Sequence, residues 1–466
     1  MFLEPGKDKT ATDFNQLLAL LETGGKPKDK WCIGIEHEAF PFYLESLQPV
    51  PYKNEHKNRG GIREILEELS DMLGWKPVAY DDTNVVSLIA YPGGPTVTLE
   101  PGGQLELSSH PLPNVHAIAR ELDTYLTILR RLKDKMNINF LSLGSRPWWT
   151  TDSPPVMPIP RYDIMAPYMR KVGTHGTDMM RHTASTQVSL DYRDEQDMVI
   201  KLRVSLALHP LVTALFSASP ALNSRFTGAF SSRSYIWQHT DNHRTGLLPF
   251  AFKPDFGFRD YMEWALDTPM YFVKRGLVYH DMTQGTGITF RQFMNNEHRH
   301  IHPSISPTVQ DWENHISTLF PEVRLKHYIE QRGADSGPRS HVLALPALWT
   351  GLLYDENALD EISRLVSNWE FSEIEDLSRK VPFSGLGTRF RGRQIREISQ
   401  EVLAIAASGL KAREKKDEQG QDETIYLTPL EEISETGVTL AEKIVNTHWI
   451  EGKLQVHSLF EDYSLI

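Results

Sequence analysis

Apolar residues recur at helical spacing along several stretches of this chain. After Asn114, whose residue type favours the N-cap position, they follow at intervals of three and four: Val115, Ile118, Leu122, Leu126, Leu129 and Leu132. This pattern predicts a helix from Asn114 to about Met136. Similar patterns predict helices over 11–24, 197–216 and 312–319, and a long helical run over 347–403.

Other stretches alternate between apolar and polar residues, which is the pattern of a strand. The segment TASTQVSLDY places three polar side chains on one face: Ser185, Gln187 and Ser189. Strands are also predicted in WCIGIEHEAFPF, VTLEPGGQLELSS and HVLALP. The mixture of helices and strands predicts an α+β fold.

The chain shows no internal repeat and no clear interdomain linker. We therefore predict one domain over residues 1–466, with a core over about 30–410 and a charged connector and C-terminal helical appendage over 411–466. The connector begins with a run of charges, LKAREKKDEQGQDE, that is predicted to be solvated. The proline-rich segment from Trp148 to Arg161 predicts an ordered or closing loop, of the kind that forms pocket rims.

Composition and charge narrow the class of protein. The chain has 40% hydrophobic and 24% charged residues, which is typical of a globular protein, and its formal net charge of −12 argues against a nucleic-acid binder. Cys32 is the single cysteine, so no intramolecular disulfide can form. With no secretory signal pattern and no run of about 18 apolar residues, we expect a cytoplasmic protein with no membrane partner.

Acidic residues occupy strand positions where apolar residues would ordinarily pack. Glu36 and Glu38 are two residues apart in GIEHE, so both carboxylates point to one face of a strand. In LEPGGQLELS, Glu100 precedes a turn, and Gln104 and Glu106 share a face after it. Carboxylates crowded in this way suit magnesium bound together with phosphates, while a charged edge strand and a plain turn are the alternatives.

Basic residues could recognise phosphate or carboxylate groups. In YIEQRGAD, Glu330 and Arg332 lie side by side if the segment is extended, which suits phosphoryl transfer but also a surface ion pair. Further candidate cations occur across the middle of the chain: Arg161, Lys171, Arg181, Arg233 and Arg244. The zinc, P-loop, dinucleotide and serine-hydrolase motifs are absent from the sequence.

Seven motifs in order resemble the plant and alphaproteobacterial type of glutamate–cysteine ligase, a carboxylate–amine ligase. They are GIEHEAF, LEPGGQLELSSHPL, PRYDIMAPYM, DMMRHTASTQVSLDY, HPLVTALFSASP, SRSYIWQHTDNHRTGLLPF and YIEQRGADSGP. The resemblance is collinear from about residue 30 to the final EDYS, and the ordered set is far more specific than any one motif. Two departures stand out. Ser189 replaces the usual Asn, and the lone Cys32 excludes the intramolecular disulfide control of plant members.

The resemblance implies a single catalytic domain with a glutamine synthetase-like fold, in which a curved antiparallel sheet forms a funnel-shaped active site with helices packed outside. It implies ATP as co-substrate and two or more Mg²⁺ ions, held by Glu36, Glu38, Glu100, Glu106 and Glu330. Arg332 and Glu38 are the implied catalytic residues. The predicted substrate-binding residues are Arg161, Arg233, Lys171 and Gln187.

The implied reaction joins the γ-carboxylate of glutamate to the amine of cysteine through a γ-glutamyl phosphate, the first step of glutathione synthesis. We expect only small-molecule partners, glutamate, cysteine and ATP, and either a monomer or a homodimer. A ligase with another acceptor amine and a catalytically silent homologue remain as alternatives. Cys32 is expected to be buried rather than reactive.

Overall fold

The strands of the fold centre on one nine-stranded antiparallel sheet in a computed structural model that describes residues 11, 13–53, 60–79, 84–149, 156–285 and 287–466. The strands are β1 (Ile33–Tyr43), β2 (Lys76–Ala79), β3 (Val85–Ile89), β4 (Thr96–Leu99), β5 (Leu105–Ser108), β6 (Ile138–Leu141), β7 (Ser185–Leu190), β8 (Ala221–Leu222), β9 (Arg225–Phe226), β10 (Thr245–Gly246), β11 (Phe272–Arg275), β12 (Val278–Asp281), β13 (Phe320–Pro321), β14 (Val323–Leu325), β15 (Ile329–Asp335), β16 (Arg389–Phe390), β17 (Arg393–Gln394), β18 (Trp449–Ile450) and β19 (Lys453–Leu454). The order in the main sheet is β14-β15-β7-β1-β5-β4-β3-β2, with β6 paired to the far end of β1.

Helices surround this sheet and account for much of the remaining described chain. They are α1 (Phe14–Glu22), α2 (Ile62–Leu73), α3 (Val115–Met136), α4 (Arg161–Val172), α5 (Gly176–His182), α6 (Glu195–Leu215), α7 (Ser232–Gln238), α8 (Phe258–Asp267), α9 (Phe290–Met294), α10 (Val309–Ser317), α11 (Arg339–Leu353), α12 (Glu356–Val366), α13 (Phe371–Ser384), α14 (Ile395–Ala412), α15 (Thr428–Thr436), α16 (Leu440–His448) and α17 (Val456–Tyr463). The predicted α+β fold on an antiparallel sheet is confirmed.

The central strand β1 separates a polar face from the core. Ile33 and Ile35 point into the main hydrophobic core, which also contains residues of α3 and α11, while Glu36 and Glu38 project from the opposite face. This division follows from the two-residue period of a strand. The predicted placement of both carboxylates on one face is therefore confirmed.

Helix α3 begins where the sequence predicts. The Asn114 side chain accepts a hydrogen bond of 2.8 Å from the amide of Ala117, which satisfies an otherwise unpaired donor of the first turn. The amide of Val115 donates to Glu423 Oε1 at 2.7 Å, and Arg413 Nε donates to Glu423 Oε2 at 3.0 Å. Glu423 is thus buried at the start of α3, so the prediction of a solvated stretch is wrong at this residue.

Helix α6 is apolar enough to span a membrane by length and composition. In its most apolar window 83% of the residues are buried inside the protein, as in the core helix of a globular domain. Lys201, in the middle of α6, is fully buried and forms an ion pair with Asp197 at 2.9 Å. The helix packs against β15.

Two predictions about secondary structure are wrong in detail. The segment HVLALP, predicted as a strand, lies in α11, because a short fully apolar run has no period that separates a buried strand from a buried helix. The long helical run over 347–403 is divided among α11, α12, α13 and α14, with the β16–β17 hairpin before the last helix. After α14 the structure has three short α-helices, α15, α16 and α17.

Candidate active site

A cavity of about 240 Å³ opens on the polar face of the sheet. Strands β1, β5, β7, β14 and β15 contribute to it, and helices α4, α5 and α7 line its other sides. Eight of the residues predicted for the site line it: Glu36, Glu38, Glu100, Glu106, Arg161, Gln187, Arg233 and Arg332. Residues from widely separated parts of the chain therefore meet in one place.

Four carboxylates, Glu36, Glu38, Glu100 and Glu106, form one side of the cavity, here called the acidic wall. Antiparallel pairing of β1 with β5 sets Glu38 directly opposite Glu106. Glu36 lies two residues along on the same face of β1, and Glu100 begins the turn that leads into β5. The wall is thus a direct product of strand register.

Burial and mutual repulsion make the acidic wall hard to ionise. Burial, with the neighbouring charges of Glu106 and Glu330, raises the pKa of Glu36 to about 7. Burial also raises the pKa of Glu100 well above its usual range, helped by Glu106 and Glu38 and opposed by the Arg161 guanidinium. A bound cation would therefore stabilise the ionised form of these carboxylates.

Short-range donors hold two of these carboxylates in place. Glu38 accepts hydrogen bonds from the amide and the hydroxyl of Ser185, at 2.8 and 3.1 Å. Glu106 accepts from the hydroxyls of Thr98 and Ser108, at 3.0 and 2.9 Å. Neutral donors orient the carboxylates without cancelling their charge, so the wall is prepared for a cation rather than already paired.

Three guanidinium groups, those of Arg233, Arg324 and Arg332, form the opposite side of the cavity, here called the basic wall. Behind it lies Glu330, whose side chain is fully buried. Glu330 Oε2 is 2.6 Å from Arg324 Nε and 3.0 Å from Arg332 Nη1, and its Oε1 is 3.1 Å from Lys326 Nζ. These three cations hold the pKa of Glu330 well below its usual range despite burial.

Arg332 is further fixed by polar and aromatic contacts. Its Nη1 donates a hydrogen bond of 2.6 Å to Gln187 Oε1. Its guanidinium lies over the rings of Trp237 and Phe320, 5.8 and 5.7 Å from their centres. The adjacent Arg233 donates through Nη2 to the carbonyl oxygen of Arg332 at 2.8 Å.

Arg161 enters the cavity from the first turn of α4, beside the acidic wall. It donates a hydrogen bond of 3.0 Å to the Tyr162 hydroxyl, which in turn donates to the Leu99 carbonyl at 3.1 Å. Its Nε is buried without a hydrogen-bond partner in the described part of the protein. A buried donor of this kind is available to a ligand oxygen.

Two predicted site residues do not reach the cavity wall. Lys171 is exposed near the end of α4, and it is not among the residues that line the cavity. Glu330 lies behind the wall, paired with three cations. Of the remaining candidates, Arg244 is buried in a structural pair with Asp241 at 2.6 Å. For the predicted rim loop, residues 150–155 lie outside the described residues.

Sequence reasoning missed Arg324 and Trp237. Arg324 lies opposite Glu330 in the β14–β15 hairpin, and Trp237 follows Arg233 by one helical turn in α7. The sequence contained a signal for Arg324. If the chain forms a hairpin just before YIEQRGAD, a basic residue six positions before Glu330 lies directly opposite it on the neighbouring strand. Cys32, expected to be buried, is only half-buried, and burial near Asp191 raises the pKa of its thiol.

The acidic wall suits a particular mode of magnesium binding. Within the described ranges, no three His, Cys, Asp or Glu side chains are placed so that they alone could hold a metal ion. Mg²⁺ ordinarily keeps several waters and binds through one or two carboxylates plus substrate phosphates rather than in an all-protein cage. Half-buried carboxylates that face a basic wall match this mode of binding.

The α+β fold and a cavity that sets carboxylates against guanidinium groups define an enzyme. A sequence profile described as glutamate–cysteine ligase family 2 matches residues 32–461. The chain is 43% identical over 446 residues to the chloroplastic glutamate–cysteine ligase B of Oryza sativa subsp. japonica, covering 96% of this chain and 86% of that protein. It is 43% identical to the chloroplastic glutamate–cysteine ligase of Arabidopsis thaliana, covering 96% and 82%.

The chain belongs to glutamate–cysteine ligase family 2 and is a ligase. A glutamate–cysteine ligase of Francisella tularensis, solved in complex with AMP, has the same fold, with a TM-score of 0.54 and 12% sequence identity over 93% of this chain and 87% of that one. The expectation of a cytoplasmic protein is wrong on this comparison, because the curated relatives are named as chloroplastic enzymes.

Proposed function

We propose that this chain joins the γ-carboxylate of L-glutamate to the amine of L-cysteine, with ATP and Mg²⁺, through a γ-glutamyl phosphate. The product is γ-glutamylcysteine, the first intermediate of glutathione synthesis. Family membership supports the ligase reaction, and the AMP complex of the Francisella enzyme supports an adenine nucleotide as co-substrate. The observation that carries the proposal is the single cavity with an acidic wall and a basic wall.

The acidic wall is proposed to hold Mg²⁺ through Glu36, Glu38, Glu100 and Glu106. When bound there with ATP, Mg²⁺ would neutralise phosphate charge and lower the repulsion between ATP and the incoming carboxylate. Glu38 is the central group, because Ser185 fixes both of its oxygens at the edge of the cavity.

Arg332 is proposed to stabilise the phosphoryl group during transfer. In such reactions the protein contributes mainly positioning and charge, so a guanidinium must be held in one direction before the substrates arrive. The hydrogen bond to Gln187 and the pair with Glu330 supply that restraint. Gln187, predicted as a substrate ligand, is accordingly proposed to act through Arg332.

Arg233 and Arg161 are proposed to bind the carboxylates of the amino-acid substrates. Both line the cavity, Arg233 fully buried and Arg161 half-buried, and a charge-assisted contact to a carboxylate is stronger there than in open solvent. They lie on different sides, Arg233 in the basic wall and Arg161 beside Glu100, so each suits a different carboxylate. Lys171 has no part in this arrangement because of its exposed position.

Metal binding by Glu330, expected from the family resemblance, would require a rearrangement. Its two oxygens are engaged by Arg324, Lys326 and Arg332. A divalent ion at this carboxylate would have to displace at least one of these cations. We therefore propose Glu330 as a metal ligand only in a substrate-bound arrangement of the basic wall.

Phosphate release from ATP tests the proposal directly. The enzyme is incubated with Mg²⁺, ATP and glutamate, with cysteine, 2-aminobutyrate, glycine or no acceptor, and the products are identified by mass spectrometry. We expect phosphate release that depends on cysteine or 2-aminobutyrate and a γ-glutamyl dipeptide as product. Turnover only with another amine would indicate a different acceptor, and turnover with none would indicate a catalytically silent homologue.

The chain is also proposed to act as one catalytic unit, as a monomer or a homodimer. Residues 411–466 would then be an appendage packed on the core, since Glu423 caps α3. Sedimentation equilibrium distinguishes the two states, and a larger oligomer would contradict the proposal.

A further inference from the structure

Asp335, the last residue of β15, is a buried carboxylate that the proposed chemistry does not use. Its side chain is 1% exposed and does not line the cavity. Its Oδ2 accepts hydrogen bonds from the amide of Ala218 at 2.9 Å and from the hydroxyl of Ser219 at 2.6 Å. Its Oδ1 accepts from the hydroxyl of Ser231 at 3.0 Å. A charge this deeply buried with three donors is a specific feature of the fold.

Two of these contacts, with Ser219 and Ser231, lead to Arg233. The Ser219 hydroxyl accepts a hydrogen bond from the Arg233 amide at 3.1 Å. Ser231 is the N-cap of α7, where its hydroxyl accepts from the Ser234 amide, and Arg233 lies in the first turn of that helix. The Arg233 guanidinium itself approaches Asp335, with Nη1 at 3.9 Å from Oδ1. One carboxylate thus fixes the backbone and the charged end of the same arginine.

This connection matters because Arg233 has few other anchors. Burial lowers the pKa of its guanidinium, and the nearest opposing charge is that of Asp335. Its Nη2 is tied to the Arg332 carbonyl, which restrains one edge of the group. Without Asp335, the opposite edge and the start of α7 would lose their restraint, although the residue would remain in the cavity wall.

We propose that Asp335 is a positioning residue, which aims the Arg233 guanidinium at the carboxylate of the glutamate substrate. The inference rests on the proposed function, because it requires that Arg233 binds this carboxylate. It also explains the aspartate of the YIEQRGAD motif, whose arginine lines the cavity and whose glutamate holds that arginine in place. A purely structural carboxylate would stabilise the fold without any specific effect on glutamate.

The test is a double-mutant cycle on purified full-length enzyme with four proteins: wild type, Asp335→Asn, Arg233→Ala and the double variant. A displaced arginine can cost about 100-fold, so Asp335→Asn is expected to raise the KM for glutamate by about 10- to 100-fold. The KM for ATP should stay within about threefold of wild type. Once Arg233 is alanine, Asp335→Asn should add little, because the group it positions is gone.

Two further variants separate positioning from general destabilisation. Gly144 packs against Asp335 so closely that an added Cβ would overlap its Cγ, so Gly144→Ala shifts the carboxylate while keeping its charge. It should also raise the KM for glutamate, and it serves if Asp335→Asn does not fold. Asp311 is a matched control, because its side chain is as buried as that of Asp335 and is paired with Arg275. Neither Asp311 nor Arg275 lines the cavity. Asp311→Asn should lower stability but leave the KM for glutamate unchanged.

The possible outcomes are distinct. If the wild type forms no γ-glutamyl product and binds no glutamate by calorimetry, the proposed function fails and the inference fails with it. If the wild type is active but Asp335→Asn and Gly144→Ala keep the wild-type KM for glutamate, only the inference is overturned. Equal effects of Asp335→Asn in the presence and absence of Arg233 would also overturn it.

Discussion

The two walls of the cavity differ in how their charges are compensated. Protein acids already pair the basic wall, because Glu330 lies between Arg324 and Arg332 and Asp335 lies behind Arg233. The acidic wall has neutral hydroxyl and amide donors at Glu38 and Glu106, and its carboxylates repel one another. One wall is pre-organised, while the other is left electrostatically incomplete.

This difference indicates which charges must arrive from solution. Arginines held by buried carboxylates keep their direction while substrates bind and leave, which suits recognition of phosphate and carboxylate groups. Crowded carboxylates that Arg161 and Arg233 offset only in part suit a cation that enters together with the nucleotide. The walls should therefore respond differently to mutation: the basic wall through stability and catalysis, the acidic wall through metal dependence.

The largest effect is expected where the basic wall is anchored. Glu330→Gln removes the partner of two buried arginines and of the half-buried Lys326, and breaking a buried ion pair from one side costs about 3–5 kcal/mol. Urea denaturation of the metal-free protein measures the loss. Glu401→Gln, which removes an exposed partner of Arg393, is the control and should change stability little. A Glu330→Gln protein as stable as wild type would show that the basic wall is not held in this way.

The next effect concerns catalysis by the basic wall. Arg332→Ala should lower kcat/KM, because a pre-oriented cationic donor is lost. The decrease should correspond to a loss of about 2–4 kcal/mol of transition-state stabilisation. Steady-state kinetics with saturating Mg²⁺ measures it. Arg379→Ala, at an exposed arginine of α13, is the matched control. A loss that appears only in the KM for glutamate would instead assign Arg332 to substrate binding.

In the metal-free protein, substitution of a carboxylate in the acidic wall should stabilise the fold, whereas substitution of Glu330 should destabilise it. Glu36 has a pKa of about 7 in the fold against 4.5 in the unfolded chain, so the folded state binds more protons in between. Glu36 should therefore contribute a fall in the free energy of unfolding as pH rises from 4.5 to 7, and Glu36→Gln should remove this contribution. Above pH 7 the variant should be more stable by about 1–3 kcal/mol, since the group is partly open to the cavity.

Thermal unfolding in EDTA across this pH range measures the effect. The same comparison with Mg²⁺ and a non-hydrolysable ATP analogue is the control, because bound cations should remove the advantage of Glu36→Gln. A variant no more stable than wild type in EDTA would contradict the uncompensated state of the acidic wall.

The smallest effect is expected at Cys32, which belongs to neither wall. Cys32→Ser should change stability by less than about 0.5 kcal/mol and leave turnover unchanged with or without reductant. Because the pKa of the thiol is raised, alkylation near neutral pH should be slow. Mass spectrometry of the alkylated protein reports on Cys32 alone, since the sequence has no other cysteine. Rapid alkylation with loss of activity would contradict this prediction.

Strand periodicity made much of the acidic wall predictable. A two-residue spacing places Glu36 and Glu38 on one face of any strand, and the turn before Glu106 returns the chain to the neighbouring strand. The N-cap at Asn114 was likewise predictable, because the capping hydrogen bond joins residues only three positions apart. Such features depend on short segments, so the sequence alone was sufficient to predict them.

Contacts between distant segments were not predictable in the same way. The exposure of Lys171 depends on how α4 is oriented, and the burial of Glu423 depends on the docking of the chain after α14 against α3. The three cations around Glu330 depend on the hairpin geometry of β14 and β15. The segment HVLALP is buried on all sides of its helix, so its sequence has no alternation of apolar and polar residues that would distinguish a helix from a strand.

Isotope transfer tests the central claim most directly. Glutamate labelled with ¹⁸O in its γ-carboxylate is converted in the presence of cysteine, ATP and Mg²⁺, and the phosphate released is analysed by mass spectrometry. A γ-glutamyl phosphate carries one carboxylate oxygen as the bridge to phosphorus, and attack by the amine at carbon leaves that oxygen on phosphate. The account predicts one ¹⁸O atom in each phosphate, whereas cysteine-dependent release of unlabelled phosphate would contradict it.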